Sequence, residues 1–184
     1  MKPWKRIEPT KVDKIGWRTI VTKTFKMPDG RIAAFQTLNR ENSHNVATIA
    51  LTSDLKIIVA RQFRPGPERF FDELPGGMAE ENDYNFEAAA QRELLEETGH
   101  EAGTMQLLGD VYVTAYHNST WHYFIARDCT LNQKGQMLDD NEHVEVQLIS
   151  VNSFLDNARS GQMTDATAVL LAYEQLSQLK ESVV

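Results

Sequence analysis

Residues 75–99, PGGMAEENDYNFEAAAQRELLEETG, constrain the chain more than any other stretch. Ala88, Ala89, Ala90, Leu94 and Leu95 are strong helix formers, and Gly99 is a natural stop, so a helix is expected from about Asn85 to Thr98. The turn Pro75-Gly76-Gly77 precedes it, and glycine there lets backbone approach its surroundings closely. Glu93 stands three residues before Glu96 and four before Glu97, so three carboxylates share one helical face. Like charges at that spacing repel by roughly 0.2–0.5 kcal/mol per pair. A hard divalent cation turns the repulsion into attraction. Mg²⁺ prefers carboxylate oxygens, keeps several waters and also binds phosphates. Arg92 can pair with one carboxylate and fix its orientation. The acidic string alone also reads as a solvated helix face; the turn, the alanines and the terminal glycine make the combination more specific.

The rest of the sequence narrows the class. The chain has 184 residues, enough for one domain with a substantial core plus a small appended element. Nineteen basic against twenty-six acidic residues give a net charge of −7, which argues against a broad nucleic-acid or anionic-membrane surface. An anionic small substrate is compatible with it, because a metal or a few arginines can reverse the field inside one pocket. Cys129 is the only cysteine, so an intrachain disulfide and a four-cysteine zinc site are both excluded. The start MKPWKRIEPTKVDK lacks the apolar stretch of a signal peptide, and no run approaches transmembrane length; a cytoplasmic protein is expected.

Two β-prone runs flank Pro28-Asp29-Gly30 and read as a hairpin, and a second hairpin is expected around Ser53-Asp54. RFFDELPGG is a short strand ending in a turn. MQLLGDVYVTAY, STWHYFIARDC and VEVQLISV read as strands, and LNQKGQMLDDNEH as a polar loop. NSFLDNARSGQ is expected as a helix entered through Asn152 or Ser153. TDATAVLLAYEQLSQLKES is expected as one longer amphipathic helix. Mixed strands with a central and a C-terminal helix give an α/β or α+β sandwich. The expected organisation is a small sheet over residues 1–43 and a main domain over 44–184.

The acidic helix and its turn resemble the Nudix box: Gly, five residues, Glu, seven residues, then Arg-Glu-hydrophobic-any-Glu-Glu-any-Gly-hydrophobic. Gly77 opens it and Arg92-Glu93-Leu94-Leu95-Glu96-Glu97-Thr98-Gly99 closes it. The chain departs from the pattern in three ways. One extra residue lies between Gly77 and Arg92. No glutamate stands at the first acidic position, where Asp83 is six after Gly77 and Tyr84 eight before Arg92. His100 takes the last hydrophobic position. The extra residue is expected to bulge the loop before the helix. RQFRPGPERFFDELPGGMAE, GWRTIVTKTFKMPDG, DDNEHVEVQLIS and GQMTDATAVLLAYEQL further resemble the ADP-ribose pyrophosphatase branch, so the resemblance covers about Gly16 to Leu179.

The resemblance implies a Nudix α/β/α sandwich with a mixed sheet, plus a small N-terminal antiparallel β-sheet that serves dimerisation and base stacking. It implies Mg²⁺-dependent hydrolysis of a nucleoside diphosphate sugar, with Mn²⁺ as a substitute. ADP-ribose, cut to AMP and ribose 5-phosphate, is the first expectation. GDP-mannose or ADP-glucose hydrolysis, or a non-catalytic nucleotide sensor, is the alternative. By the same resemblance Glu93, Glu97, Glu96 and the Gly76 carbonyl are metal ligands, and Arg92 holds a box glutamate. Glu142 binds metal or activates water, with Asp139 and Asp140 as neighbours able to take the role; the bare sequence alone favours a solvated loop residue. Arg64 contacts phosphate or base, and its planar fork suits a diphosphate. Trp17 and Phe35 fall where relatives stack an adenine, although Phe35 also fits simple core packing. Arg40 would reach a phosphate from the partner subunit of a homodimer, and Met78 would line the pocket. Tyr116-His117-Asn118 stand where many ADP-ribose hydrolases have a Pro-Gly turn over the terminal ribose. His44, His117, His122 and His143 lack metal-ligand spacing and read as ordinary polar or core residues, and Cys129 as a buried small hydrophobe.

Overall fold

The computed structural model describes residues 1–140 and 142–181. The chain divides into two compact units: Met1–His44 with Val111–Thr120, and Asn45–Asp110 with Trp121–Val184.

The smaller unit is built on a three-stranded antiparallel sheet, β1 (Lys5–Ile15), β2 (Arg18–Lys26) and β3 (Ile32–Leu38), in that order. The expected hairpin joins β2 and β3: Gly30 adopts φ 88° and donates its N–H to the Met27 carbonyl at 2.9 Å. β1 was not anticipated. Its sequence KRIEPTKVDKI is largely exposed, carries Pro9 and has no apolar alternation, because an edge strand pairs on one side only. On one face, Trp4, Phe25 and Phe35 gather with ring centroids 5.4 to 6.2 Å apart, distances at which aromatic pairs attract. The segment Val111–Thr120 returns to this unit, where Leu38 donates its N–H to the Tyr116 carbonyl and Asn118 to the Leu38 carbonyl. The strand expected through Tyr116 therefore stops at Val111.

The larger unit contains β4 (His44–Thr52), β5 (Lys56–Arg64), β6 (Arg69–Glu73), β7 (Gly76–Met78), α1 (Phe86–Thr98), β8 (His100–Glu101), β9 (Thr104–Val111), β10 (Thr120–Leu131), β11 (Glu145–Ser150), α2 (Val151–Ser160), α3 (Ala166–Leu171) and α4 (Tyr173–Glu181). Its mixed sheet runs β11-β5-β4-β10-β8, with β6 on β5, β7 on β4 and β9 on β10. Side chains alternate across a strand, and here both sets are buried. Leu94 of α1 packs on Ala50, Ile58, Ala126 and Cys129, and Ala89 and Ala90 on Val46 and Phe124. The opposite set, Ile49, Leu51, Ile57, Val59, Tyr123 and Ile125, is also buried. The Tyr123 hydroxyl lies 3.4 Å from Asp165, at the start of α3, and α2 packs on β5 and β11. Three layers result. Small alanines let α1 sit close to the sheet, which brings its polar end near the backbone of β7.

α2 starts two or three residues earlier than expected, because Ser150 is the cap: its hydroxyl accepts from the Ser153 N–H at 3.0 Å. The single C-terminal helix is two, divided at Ala172. The final Ser182 of that expectation lies outside the described residues. No helix among the described residues is long and apolar enough to cross a membrane.

Candidate active site

α1 is held at both ends, and Gly99 stops it as its sequence predicts. Asn85 accepts the Ala88 N–H at 2.8 Å, and Gly99, at φ 70°, returns its N–H to the Leu95 carbonyl. The last turn of the helix presents Glu93 and Glu97 inward and Glu96 more outward.

The Gly-Gly turn fits against these carboxylates atom by atom. The Gly76 N–H donates to Glu97 Oε2 at 2.8 Å. A Cβ on Gly77 would lie 2.6 Å from Glu93 Oε1, so only glycine leaves room for that carboxylate. A Cβ on Gly76 would lie 2.3 Å from the Val46 carbonyl oxygen, because β7 pairs with β4 there. The sequence expectation gave the metal the Gly76 carbonyl; the group seen to reach the acidic helix is its N–H.

Arg92 organises the other side. Its Nε and Nη2 donate to the two oxygens of Asp83 at 3.1 and 3.0 Å, its Nη1 to Glu93 and Glu96 at 3.0 and 2.9 Å, and its Nη2 to the Met78 carbonyl at 3.1 Å. Asp83 thus takes the first acidic position of the box, counted from Gly77. The extra residue is absorbed by a turn in which the Glu80 and Asp83 main chains bond each other and the Glu80 N–H donates to Asp83 Oδ2. Tyr84 points to solvent. Hydrogen bonds from Arg92 hold the Asp83 carboxyl below its usual range, and the same pairing raises the guanidinium above its own.

Glu93 and Glu97 are both largely buried. Burial pushes Glu93 up to about 7, with Arg92 opposing and Glu96 and Glu142 adding to the rise. Burial pushes Glu97 up to about 8; the Gly76 N–H and Arg64 oppose, and Glu93 and Glu142 add. Two carboxylates one turn apart, short of compensating charge and offering hard oxygen donors, fit a divalent cation. Among the described residues no three His, Cys, Asp or Glu side chains form a ready-made cage. Mg²⁺ does not require one, since it keeps several waters and completes its shell with substrate phosphate.

Glu142 lies in the loop after β10, close enough that its charge bears on Glu93 and Glu97. Its carboxylate accepts the Asp139 N–H at 3.0 Å, and its own N–H returns to the Asp139 carbonyl at 2.9 Å. Arg64, at the end of β5, is bound by Glu73: Nε and Nη2 reach one carboxylate oxygen at 2.6 and 2.5 Å, and Thr164 donates to the other at 2.7 Å. Sequence reasoning missed Glu73, although its place just before the Pro-Gly-Gly turn was visible. Met78 is exposed on β7.

The remaining expected residues belong to the smaller unit. Phe35 lines a cavity of about 520 Å³ together with Trp4, Phe25, Lys23, Tyr112 and Tyr116. Trp17 is not in that wall. It stands at the β1–β2 turn, strongly exposed, with the Arg18 guanidinium 4.5 Å from its ring centre. Lys23 is the strand partner of Phe35, so six residues of β2, about 20 Å at ~3.3 Å each, separate Trp17 from Phe35 within one chain. Arg40 is exposed in the loop after β3. Of the histidines, His122 is buried, stacked on Phe86 and 2.7 Å from Asp110, and His100 is buried with Nδ1 2.9 Å from the Thr98 carbonyl. Cys129 is buried in the core, which pushes its thiol up to about 11.

The family model described as NUDIX domain matches residues 42–168. The chain is 30% identical over 161 residues to an ADP-ribose pyrophosphatase of Bacillus subtilis (strain 168), covering 86% of this chain and 85% of that protein. It is 29% identical over 147 residues to a GDP-mannose pyrophosphatase of Salmonella arizonae, covering 73% and 75%. A crystal structure of ADP compounds hydrolase superposes with a TM-score of 0.81 over 97% of each chain at 17% identity, a likeness of fold. The chain belongs to the Nudix family. It is a Nudix hydrolase, of a family whose members generally use divalent metal ions.

Proposed function

We propose that this chain is a Mg²⁺-dependent pyrophosphatase of nucleoside diphosphate sugars, with Mn²⁺ as a substitute, and that ADP-ribose is its substrate. The observation that carries the proposal is the pair of buried carboxylates, Glu93 and Glu97, against the glycine backbone of β7. In water such a pair is repulsive; beside a diphosphate it is the means of holding a divalent cation.

When bound, the cation supplies charge neutralisation of the diphosphate and lowers the cost of forming a nucleophile from water. The chain's own residues do the rest. Glu93 and Glu97 hold the cation, with Glu96 beside them, and Arg92 fixes the first and third of these. Arg64 binds the diphosphate through the donors of its fork that Glu73 leaves available. Glu142 accepts a proton from the attacking water. The new P–O bond forms as the bond to the bridging oxygen breaks, giving AMP and ribose 5-phosphate from ADP-ribose. In the smaller unit, Trp17 and Phe35 serve base recognition, one from each copy of a homodimer, and Arg40 a phosphate. Their separation along β2 favours that division of labour.

A second reading, GDP-mannose as substrate, is favoured by the segment Tyr116-His117-Asn118 in place of a Pro-Gly turn and by the name of the Salmonella relative. Assay of the purified protein against ADP-ribose, ADP-glucose and GDP-mannose, each with Mg²⁺, Mn²⁺ or chelator, tests both. The expected result is cation-dependent release of AMP, fastest from ADP-ribose. Faster release of GMP from GDP-mannose selects the second reading, and no turnover of any of them overturns both.

A further inference from the structure

A single side chain ties the loop that carries Glu142 to the acidic helix. Gln136 extends its amide Nε2 to two backbone carbonyls, that of Glu97 at 2.7 Å and that of Val144 at 3.2 Å. The first lies in the last turn of α1, where carbonyls lack partners inside the helix. The second is one residue before β11 begins. One amide therefore clamps the metal-facing end of α1 to the far end of the Glu142 loop.

The near end of the loop is stitched to the same helix turn. Met137 donates its N–H to the Glu96 carbonyl at 2.9 Å, and Asn132 donates to the Gly99 carbonyl at 2.8 Å. A Cβ on Gly99 would lie 2.8 Å from the Gly135 carbonyl carbon, so the bare Gly99 lets the main chains touch. Between these anchors the Asp139–Glu142 turn closes on itself, and Glu142 stays near Glu93 and Glu97. Three acidic groups that repel one another are held together here. The backbone bonds fix the beginning of the loop. At its end β11 pairs with β5 from Glu145 on, and Gln136 ties that end to α1.

We propose that Gln136 is a positioning residue: its amide bridge between the Glu97 and Val144 carbonyls sets the distance of Glu142 from the carboxylates of α1. The proposal rests on the role of Glu142 given above. Gln136 is itself exposed and has no place in the chemistry. Gln136→Leu removes both donors. Gln136→Glu replaces them with a carboxylate facing two carbonyl oxygens. Gln136→Lys keeps a donor head that reaches both.

The test is steady-state kinetics with ADP-ribose and Mg²⁺ on Gln136→Leu, Gln136→Glu and Gln136→Lys, each alone and with Glu142→Gln, beside thermal midpoints. Gln136→Leu and Gln136→Glu are expected to lower kcat about tenfold, the scale of a sub-ångström misplacement, with KM within about twofold. Gln136→Lys restores most of kcat. With Glu142→Gln present the Gln136 substitutions cause no further loss, because residues acting as one unit are not additive. A tenfold loss that persists beside Glu142→Gln, a loss in KM alone, or full kcat in Gln136→Leu overturns the bridge. Full kcat in Glu142→Gln by itself overturns the role of Glu142 and the proposal with it. Should Gln136→Leu fail to fold, the Glu and Lys variants carry the same comparison.

Discussion

Arg92 grips both oxygens of Asp83 with one edge of its fork, Nε at 3.1 Å and Nη2 at 3.0 Å, and so defines which loop residue completes the box. Counting back from Arg92 points to Tyr84; counting forward from Gly77 points to Asp83. The guanidinium decides for Asp83. Asp83→Asn is expected to lower stability by about 1.5–3 kcal/mol, the range for a hydrogen bond to a charged group. Tyr84→Ala, at a solvent-facing position, is expected to stay within about 0.5 kcal/mol. Urea denaturation measures both, and equal effects would mean the Arg92–Asp83 pair has no special weight.

Glu93→Gln and Glu97→Gln keep size and a carbonyl oxygen, so the Gly76 N–H retains its acceptor in the second. Each removes one of two buried, mutually repelling carboxylates. The metal-free thermal midpoint is expected to hold or rise, while turnover falls by about 10²-fold or more. Calorimetric titration with Mg²⁺ should show weakened binding in each. Near-normal turnover in both would remove these residues from the metal site.

Gly76 and Gly77 are expected to fail differently. In Gly77→Ala the new methyl meets the end of the Glu93 side chain, which can swing away. Activity then falls with a stability loss of about 1 kcal/mol or less. In Gly76→Ala the methyl meets the Val46 carbonyl and Ala47 Cα, backbone that cannot yield without opening the β4–β7 pairing. A loss of about 1–3 kcal/mol is expected, the scale of overpacking. Thermal midpoints in the reverse order would contradict the geometry.

The smaller unit carries a pH dependence of its own. The Arg6 hydrogen bond, then that of Lys23, lowers the Glu41 carboxyl from 4.5 to about 2. A depressed carboxylate stabilises the fold above its unfolded value and loses that contribution as pH falls. The gap in thermal midpoint between the native protein and Glu41→Gln should therefore be full above about pH 5 and close between 4.5 and 2. Glu41 is 40% exposed, so the gap is small and shrinks with salt. A gap that is constant from pH 6 to 3 would show that the ion pair contributes nothing.

Trp17 offers a separate readout. If it stacks the base, Trp17→Ala removes about 1–3 kcal/mol of binding, by analogy with base stacking on aromatics elsewhere. The loss should appear in KM with kcat nearly unchanged, since stacking is similar in ground and transition states. Light scattering should find a homodimer, with an interface above roughly 2,000 Å², as in obligate pairs. A fully active monomer at micromolar concentration would contradict the shared base site.

The residues of α1 made their own helix legible: its strong helix formers, its stop and its three glutamates lie within one continuous stretch. Runs of β-branched and aromatic residues marked β2 to β6, β10 and β11 for the same local reason. What stayed hidden depends on contacts between distant segments. β1 is exposed and polar, and only its pairing with β2 makes it a strand. The Ala172 break interrupts a run whose periodicity continues unbroken. Glu73 and Gln136 are ordinary residues until the fold brings Arg64 to one and two backbone carbonyls to the other. Trp17 and Phe35 were read as one pair, and the register of β2 shows that a single chain separates them.

The return of Val111–Thr120 to the smaller unit has a consequence for how this protein can vary. Its N-terminal sheet is not a detachable cassette. Removing residues 1–43 would strip the Leu38 and Ser43 partners from Tyr116, Asn118 and Thr120, in a segment inserted between β9 and β10 of the mixed sheet. Residues 1–43 and the segment Val111–Thr120 must therefore be exchanged together or not at all. A chimera that swaps only the first forty-odd residues for those of a relative inherits a mismatched seam.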